Sequence, residues 1–239
     1  GGQTLGPIMS SYIPVSAVDM GIPVLIIGKS GTGKSTSLRN MPADTGIINV
    51  IGKPLPFKTK IKPVQYTDYN TIKYVLDKAK GTRFVVDDAG YLITDEFMRG
   101  HGKSQSGSSV FDLYNNMADH FYDLIRFIAT NLAEDKIVYI MMHEDQSETF
   151  GTVKPKTIGK LLDDKVCVEG MFTIVLRSMC DGGRYYFRTQ TDGSDVAKSP
   201  IGMFDAKEID NDLAVVDKAI RKYYETDKVK ETKTDEKDK

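Results

Sequence analysis

The 239-residue chain carries 32 Lys and Arg against 33 Asp and Glu, a net charge of -1, and 40% of its residues are hydrophobic. This size and composition predict one large α/β domain and exclude both an array of small modules and wholesale disorder. The balanced charge excludes a global attraction to nucleic acid or membrane, so any polyanion site has to be local. The two cysteines and three histidines form neither a disulfide framework nor a zinc motif, and the apolar runs are too short to span a bilayer. We therefore expect a cytoplasmic protein without a membrane anchor.

Short apolar segments alternate with segments of helical period, which predicts a mostly parallel twisted sheet flanked by helices. The predicted strands are residues 22–27, 46–51, 83–87 and 136–142. The predicted helices begin at Gly33, at about residue 69 and at about residue 109, with a last helix over residues 208–224. An antiparallel edge pair, residues 171–179 and 185–191, is joined by a turn at Asp181-Gly182-Gly183.

The two ends of the chain are expected to lie outside the folded domain. Residues 1–12 are interpreted as an N-terminal segment, of which residues 1–8 resemble a cloning remnant ahead of Met9, and residues 13–224 as the domain. Residues 225–239 alternate Lys with Asp and Glu around a single apolar residue, Val229. Because such a segment cannot offset its ordering entropy by burial, we predict a disordered charged tail.

A phosphate-binding motif follows the first predicted strand. The run from Gly28 to Ser35 matches GxxxxGK[ST] and precedes a segment compatible with a helix. Its glycines allow backbone N–H groups to turn toward a phosphate, and a following helix would add its positive N-terminal end. Lys34 would reach the β- and γ-phosphates, and the Ser35 hydroxyl would bind Mg²⁺. The sequence therefore predicts an ATP and Mg²⁺ site formed by Gly28, Lys29, Ser30, Gly31, Thr32, Gly33, Lys34, Ser35 and Thr36.

A second acidic element comes at the end of the strand over residues 83–87. Apolar residues lead into Asp87 and Asp88, the pattern of a Walker B site that supplies a second Mg²⁺ anchor. We predict that Asp87 holds the metal through water and that Asp88 polarises the attacking water. The alternative is an ordinary acidic turn after a buried strand. An Asp is also one methylene shorter than the Glu that many ATPases use as the base.

The fourth predicted strand ends at His143-Glu144. A polar residue at this edge of a P-loop fold lies beside the γ-phosphate, where it can distinguish ATP from ADP. His143 is therefore our candidate sensor and a candidate catalytic residue. The alternative is a histidine with a purely structural role at a strand end.

Four features together, in this order, resemble phage-encoded ATPases of the RecA-like superfamily, the group that includes single-strand-annealing and recombination ATPases. They are the run from Gly28 to Ser35, Val85-Val86-Asp87-Asp88, His143-Glu144, and a β-pair followed by Ala197-Lys198-Ser199-Pro200, over roughly residues 13–203. The resemblance implies a RecA-like core, Mg²⁺-dependent ATP hydrolysis and self-association into rings or filaments with ATP at the subunit boundary. It also implies action on single-stranded DNA in phage recombination or replication, beside a phage single-stranded DNA-binding protein.

One departure from this pattern concerns the second strand. RecA-like enzymes commonly place a catalytic Glu just after it, whereas the segment from Asn49 to Lys53 contains no acid. This either shifts the role of the base to Asp88 or implies slow hydrolysis.

The resemblance also suggests which basic residues act at a subunit boundary. Lys198 is the first choice for a cation donated to a neighbouring subunit's γ-phosphate, with Arg184 and Arg188 as further candidates; each could equally be a solvated surface charge. Two basic loops could bind single-stranded DNA, and the alternative is that both are ordinary surface loops. The candidate residues in these loops are Arg99, Lys103, Phe150, Lys154 and Lys156.

Three other functions remain open at this point. A replication initiator or helicase loader would follow its core with a helical lid carrying an arginine, whereas a β-pair follows here and Arg221 comes only in the last helix. A small-molecule phosphotransferase would need an arginine-rich lid, and the loop after Arg99 has no further arginine. A nucleotide-gated interaction protein with little turnover agrees with the missing Glu.

Overall fold

The computed structural model describes residues 20–103, 107–146, 151–159 and 161–226. The strands are β1 (Ile22–Gly28), β2 (Gly46–Asn49), β3 (Arg83–Asp87), β4 (Ile137–Gln146), β5 (Val153–Pro155), β6 (Ile174–Asp181), β7 (Arg184–Arg188) and β8 (Glu208–Asp210). The α-helices are α1 (Tyr69–Lys78), α2 (Gly90–Gly100), α3 (Gly107–Asn131) and α4 (Leu213–Tyr224). Two short 3₁₀ helices, Ser35–Asn40 and Val168–Met171, and a π-helical turn, Leu161–Val166, complete the described elements.

The strands form one mixed sheet in the order β2-β3-β4-β1-β6-β7-β8, and β5 pairs with the end of β4. The first five strands of this order run parallel, while β7, β8 and β5 are antiparallel to their neighbours. The chain leaves β1 for the far edge at β2 and returns through β3 and β4, so the carboxyl ends of β3, β4 and β1 lie side by side. Crevices at this kind of topological switch point are where open α/β sheets bind ligands.

Helices cover both faces of the sheet. Along β4, Val138, Ile140 and Met142 face the core beneath α1, α2 and α3, whereas the alternating residues Tyr139 and Met141 face the 3₁₀ helix and α4. Strands of parallel sheets are buried on both faces and therefore have continuous apolar sequences of this kind. The predicted class, an α/β protein with a mostly parallel mixed sheet flanked by helices and an antiparallel edge, is confirmed at this level.

The predicted helix beginning at Gly33 is wrong in type. The chain forms only the six-residue 3₁₀ helix from Ser35 to Asn40. Ser and Thr residues favour the helix less than Ala or Leu, and Pro42 holds the preceding Met41 in an extended conformation, so the helix ends there. The positive end of an α-helix therefore does not contribute to the phosphate site.

Helix α2 and the start of the last helix also differ from the prediction. Helix α2 was not predicted, and Arg99 lies in its last turn instead of in a loop; burial of Leu92 and Ile93 stabilises a segment that has glycine at both ends. The last helix begins at Leu213, because the residues from Glu208 pair with β7 as β8.

Helix α4 ends at a left-handed residue, Glu225, with φ of 55°. The backbone N–H of Thr226 donates a hydrogen bond to the carbonyl of Arg221 at 3.2 Å, so the first two residues of the predicted tail cap this helix. The rest of that tail and residues 1–19 lie outside the described residues. In the part of the chain that is described, no helix has the length and apolarity needed to cross a membrane.

Candidate nucleotide-binding site

The segment from Gly28 to Ser35 forms a tight turn between β1 and the 3₁₀ helix. A Cβ at Gly28 would lie 2.6 Å from the Thr32 hydroxyl and 2.7 Å from the Ser178 carbonyl, so no side chain fits there. Gly33 has φ of +94°, a conformation that residues with side chains rarely adopt. The motif therefore has the glycine-dependent backbone that the sequence predicts for a P-loop.

Lys34 and Ser35 place their functional groups at the carboxyl ends of the central strands. The Lys34 ammonium donates hydrogen bonds to the carbonyls of Gly28 at 2.7 Å and Lys29 at 2.9 Å. Ser35 Oγ donates to Asp87 Oδ2 at 2.8 Å, which joins the end of β1 to the end of β3. The two motifs that the sequence predicts as partners, 52 residues apart, are thus in direct contact.

Burial sets the protonation preferences at this edge. Asp87 is 3% exposed, and desolvation raises the pKa of its carboxyl above its usual value. Desolvation also lowers the pKa of the Lys34 ammonium, partly opposed by Asp88 and Asp87. A buried carboxylate and a buried ammonium that each lack a full set of counter-charges are groups that a bound anion and cation would stabilise.

Asp88 lies at the centre of a charged cluster. Its backbone is left-handed, with φ of 59°. Its carboxylate forms an ion pair with Lys53 Nζ at 2.5 Å. His143 Nε2 lies 3.5 Å from the other carboxylate oxygen, and the His143 ring packs edge-on against Tyr91. Burial, and then the Lys34 charge, lower the pKa of His143, so its neutral form is favoured. The structure thus brings together Lys34, Asp88 and His143, three of the four predicted catalytic residues.

These groups line a cleft of about 670 Å³. Sequence reasoning missed the opposite wall, which contains Tyr185 from β7, Asn211 between β8 and α4, and Arg39 from the 3₁₀ helix. Arg39 donates to the Asn211 carbonyl at 2.6 Å and so joins the 3₁₀ helix to the segment between β8 and α4. Tyr185 and Asn211 lie 150 positions or more beyond Ser35, Arg39 lies four residues after it, and no local motif marks any of the three. Lys53 was also missed, although the absent Glu after β2 directs attention to its segment.

A Mg²⁺ ion fits the Ser35 and Asp87 oxygens. Among the described residues, no group of three or more His, Cys, Asp or Glu side chains is arranged to hold a metal. A Mg²⁺ ion in a P-loop protein does not require one, because it keeps several waters and is otherwise bound by one hydroxyl, one carboxylate and the substrate phosphates. A hydroxyl and a carboxylate oxygen 2.8 Å apart supply that pair.

Lys198, Arg184 and Arg188 do not line this cleft. Lys198 forms a β-bridge with Val175, which pairs with Leu25 on β1, and Leu25 lies about 10 Å along that strand from Gly28. Arg184 forms an ion pair with Glu208 at 3.0 Å. Arg188 forms ion pairs with Asp192 and Asp195, both at 3.1 Å.

The predicted nucleic-acid residues fall on two different elements. Arg99 ends α2, where it bonds to Asp95 at 2.6 Å and to Thr67 at 2.9 Å, and Lys103 follows in an exposed turn. Lys154 lies on β5 rather than in a loop, and Lys156 follows it, with its N–H bonded to the His143 carbonyl at 2.8 Å. Phe150 lies outside the described residues.

No protein-family model matches the chain, and no curated protein matches it significantly. The interpretation of the site therefore depends on the contacts described above.

Proposed function

We propose that this chain is a RecA-like P-loop ATPase that binds ATP with Mg²⁺ and hydrolyses its terminal phosphoanhydride. The observation that carries the proposal is the 2.8 Å hydrogen bond between Ser35 and Asp87, beside the buried Lys34. Ser35 comes from the first motif and Asp87 from the second, and the two are in contact at the topological switch point of the sheet. A chance glycine turn and a chance acidic turn would have no reason to form this contact.

The residues of the cleft divide the chemistry among them. Backbone N–H groups from Gly28 to Ser35 bind the phosphates, and Lys34 exchanges its carbonyl partners for phosphate oxygens. Ser35 and Asp87 would hold Mg²⁺, which would neutralise phosphate charge when bound. In the hydrolytic step a water oxygen bonds to Pγ, its proton passes to Asp88, and the bond from Pγ to the bridging oxygen breaks, so that ADP leaves with the electron pair. The neutral His143 contacts the same region and reports the presence of the γ-phosphate.

The proposed biological role is action on single-stranded DNA during phage recombination or replication, in the host cytoplasm, beside a phage single-stranded DNA-binding protein. Lys156 supports this role by its position, since its backbone bonds to His143 and so connects a basic segment to the sensor. Arg99 and Lys103 lie at the far end of α2, about 15 Å from Asp88 by helix length. Lys198, outside its own cleft, would serve a neighbouring subunit in a ring or filament.

A specific observation favours a second candidate, a nucleotide-gated interaction protein with little turnover. The ion pair between Lys53 and Asp88 holds the proposed base against a cation. While this ion pair persists, the Asp88 carboxylate contacts Lys53 instead of the attacking water.

The test is equilibrium binding of ATP with Mg²⁺, together with phosphate release measured with and without a single-stranded oligonucleotide. Lys34→Ala is expected to weaken ATP binding about 10- to 100-fold, the effect of losing a charge-assisted hydrogen bond, and to abolish turnover. Lys60→Ala, an exposed lysine outside the cleft, is the control and is expected to match the parent. Circular dichroism checks that each variant is folded.

Each result separates the alternatives. Stimulation of phosphate release by the oligonucleotide supports the DNA-dependent ATPase, and tight ATP binding with negligible release supports the gated interaction protein. Hydrolysis by folded Lys34→Ala at the parent rate would contradict the phosphate assignment.

A further inference from the structure

The loop after β2 holds the backbone of Lys53 in a fixed position. Asn49, which is 3% exposed, donates from its side-chain amide to the Lys53 carbonyl at 2.5 Å and accepts from the Gly52 N–H at 2.9 Å. Gly52 has φ of +76°, and Pro54 restricts Lys53 to extended conformations. These constraints direct the chain so that Lys53 is presented to the cleft rather than carried on a free loop.

The Lys53 side chain itself retains freedom to move. It is 57% exposed, and the ion pair with Asp88 is its closest charged contact in the described structure. The Asp88 carboxylate raises the pKa of the Lys53 ammonium, so the group stays charged in the neutral range. Because Lys53 is more than half exposed, it can turn from Asp88 to another anion without being buried itself. Asp88 is 4% exposed, so its carboxylate then needs another partner, such as water.

The other cations of the cleft are committed elsewhere. Among the described residues that line it, the permanently charged or basic side chains are Lys34, Arg39 and Lys53. Lys34 belongs to the P-loop, and Arg39 is bonded to the carbonyls of Thr36 and Asn211. Lys53 is the one of these three that forms an ion pair with Asp88, a residue proposed to contact the transferred phosphoryl group.

We propose that Lys53 is a γ-phosphate ligand that acts within its own chain, exchanging Asp88 for the γ-phosphate of bound ATP. This inference depends on the proposed ATPase function and adds a catalytic residue to it. The exchange has two effects: the ammonium neutralises charge on the phosphoryl group, and the Asp88 carboxylate is released to contact water. A product that lacks the γ-phosphate leaves Lys53 on Asp88, so the lysine couples the position of the base to the nucleotide present.

The experiment compares the affinity for ADP with the affinity for an ATP analogue in each variant. Calorimetric titration with Mg²⁺ and either ADP or a non-hydrolysable ATP analogue is carried out on the parent, Lys53→Ala, Lys53→Arg and the control Lys60→Ala. Lys53→Ala is expected to bind the ATP analogue about 10- to 100-fold more weakly, while its ADP affinity stays within about twofold of the parent. Lys53→Arg is expected to recover part of the preference for the triphosphate, and Lys60→Ala is expected to match the parent.

Two results would overturn the assignment of Lys53 while leaving the ATPase intact. Equal loss of affinity for both nucleotides would mean that Lys53 only supports the loop, and no loss for either would mean that it does not contact the γ-phosphate. A parent protein that binds neither nucleotide would instead refute the proposed function, and the role of Lys53 with it. A lower turnover in Lys53→Ala at saturating ATP is the expected companion of the affinity change.

Discussion

Two buried aspartates, Asp217 on α4 and Asp87 at the end of β3, have similar exposure and opposite surroundings. Asp217 accepts from the Tyr139 hydroxyl at 2.8 Å, from Arg83 at 2.7 Å and from Arg221 at 2.9 Å. Asp87 accepts from one hydroxyl, that of Ser35, and from the Asp88 N–H at 3.1 Å. Both carboxyl groups are almost fully buried, yet only the first is matched by positive charge at ion-pair distance.

This difference indicates a structural role for the residues around Asp217 and a functional role for those around Asp87. The network around Asp217 uses its carboxylate fully, and Arg221 also bonds to the carbonyls of Asp135 and Thr82, so it fixes α4 on the sheet. The cluster around Asp87 keeps bonding capacity unused beneath Ser35 and Asp88, which line the cleft. Since a buried charge without partners is costly, such an arrangement is typical of a functional site whose ligands complete it.

The largest expected effect is on stability at the saturated cluster. Asp217→Asn removes the counter-charge of two guanidinium groups, one of them, Arg221, only 3% exposed. We expect the free energy of unfolding to fall by about 3–5 kcal/mol, because breaking a buried ion pair leaves an uncompensated charge. Urea denaturation measures this change, and a loss below about 1 kcal/mol would contradict the comparison.

The same substitution at the open cluster should act on function instead. Asp87→Asn is expected to raise the Mg²⁺ concentration for half-maximal turnover about 10- to 100-fold, the usual effect of altering a group that holds a metal through water. Burial raises the pKa of Asp87, so its ionised form is less favourable in the folded protein than in the unfolded chain, and at neutral pH this lowers stability. A neutral amide does not carry that cost, so the free energy of unfolding should stay the same or increase. A clear loss of stability with unchanged Mg²⁺ dependence would reverse the two roles.

The sequence was sufficient for the parts of the site that are local. The turn from Gly28 to Ser35, Asp87 at the end of the third strand and His143 could be located as candidates, because short apolar strands are followed at once by residues with recognisable chemistry. The second wall of the cleft could not. Tyr185 and Asn211 reach the P-loop only through the pairing of β6, β7 and β8, a tertiary arrangement that no local pattern encodes.

The fold, like the site, could be predicted only where local sequence patterns determine it. The buried parallel strands and the edge pair follow from hydrophobic runs and a Gly-Gly turn, whereas α2 and the 3₁₀ helix after the P-loop do not. Helix α2 is stabilised by the burial of Leu92 and Ile93, and tertiary packing outweighs weak propensity there. The 3₁₀ helix is short because Ser and Thr favour a helix only weakly and Pro42 holds Met41 in an extended conformation, so these residues override the expected helical pattern.

The smallest expected effect concerns the backbone at Asp88, whose φ of 59° is left-handed. Asp88→Gly and Asp88→Ala remove the ion pair with Lys53 equally, so their difference reports the backbone alone. A left-handed alanine costs about 1–2 kcal/mol, which exceeds the extra chain entropy of glycine in the unfolded state, so the glycine variant should be the more stable by about 0.5 kcal/mol. At Lys218, an exposed position within α4, the order should reverse, with alanine more stable than glycine by about 1 kcal/mol. Denaturation of the four variants gives both differences. If alanine were also the more stable residue at position 88, the left-handed turn that directs the Asp88 carboxylate toward Lys53 and His143 would not be a property of this backbone, and the proposed position of the base would have to change.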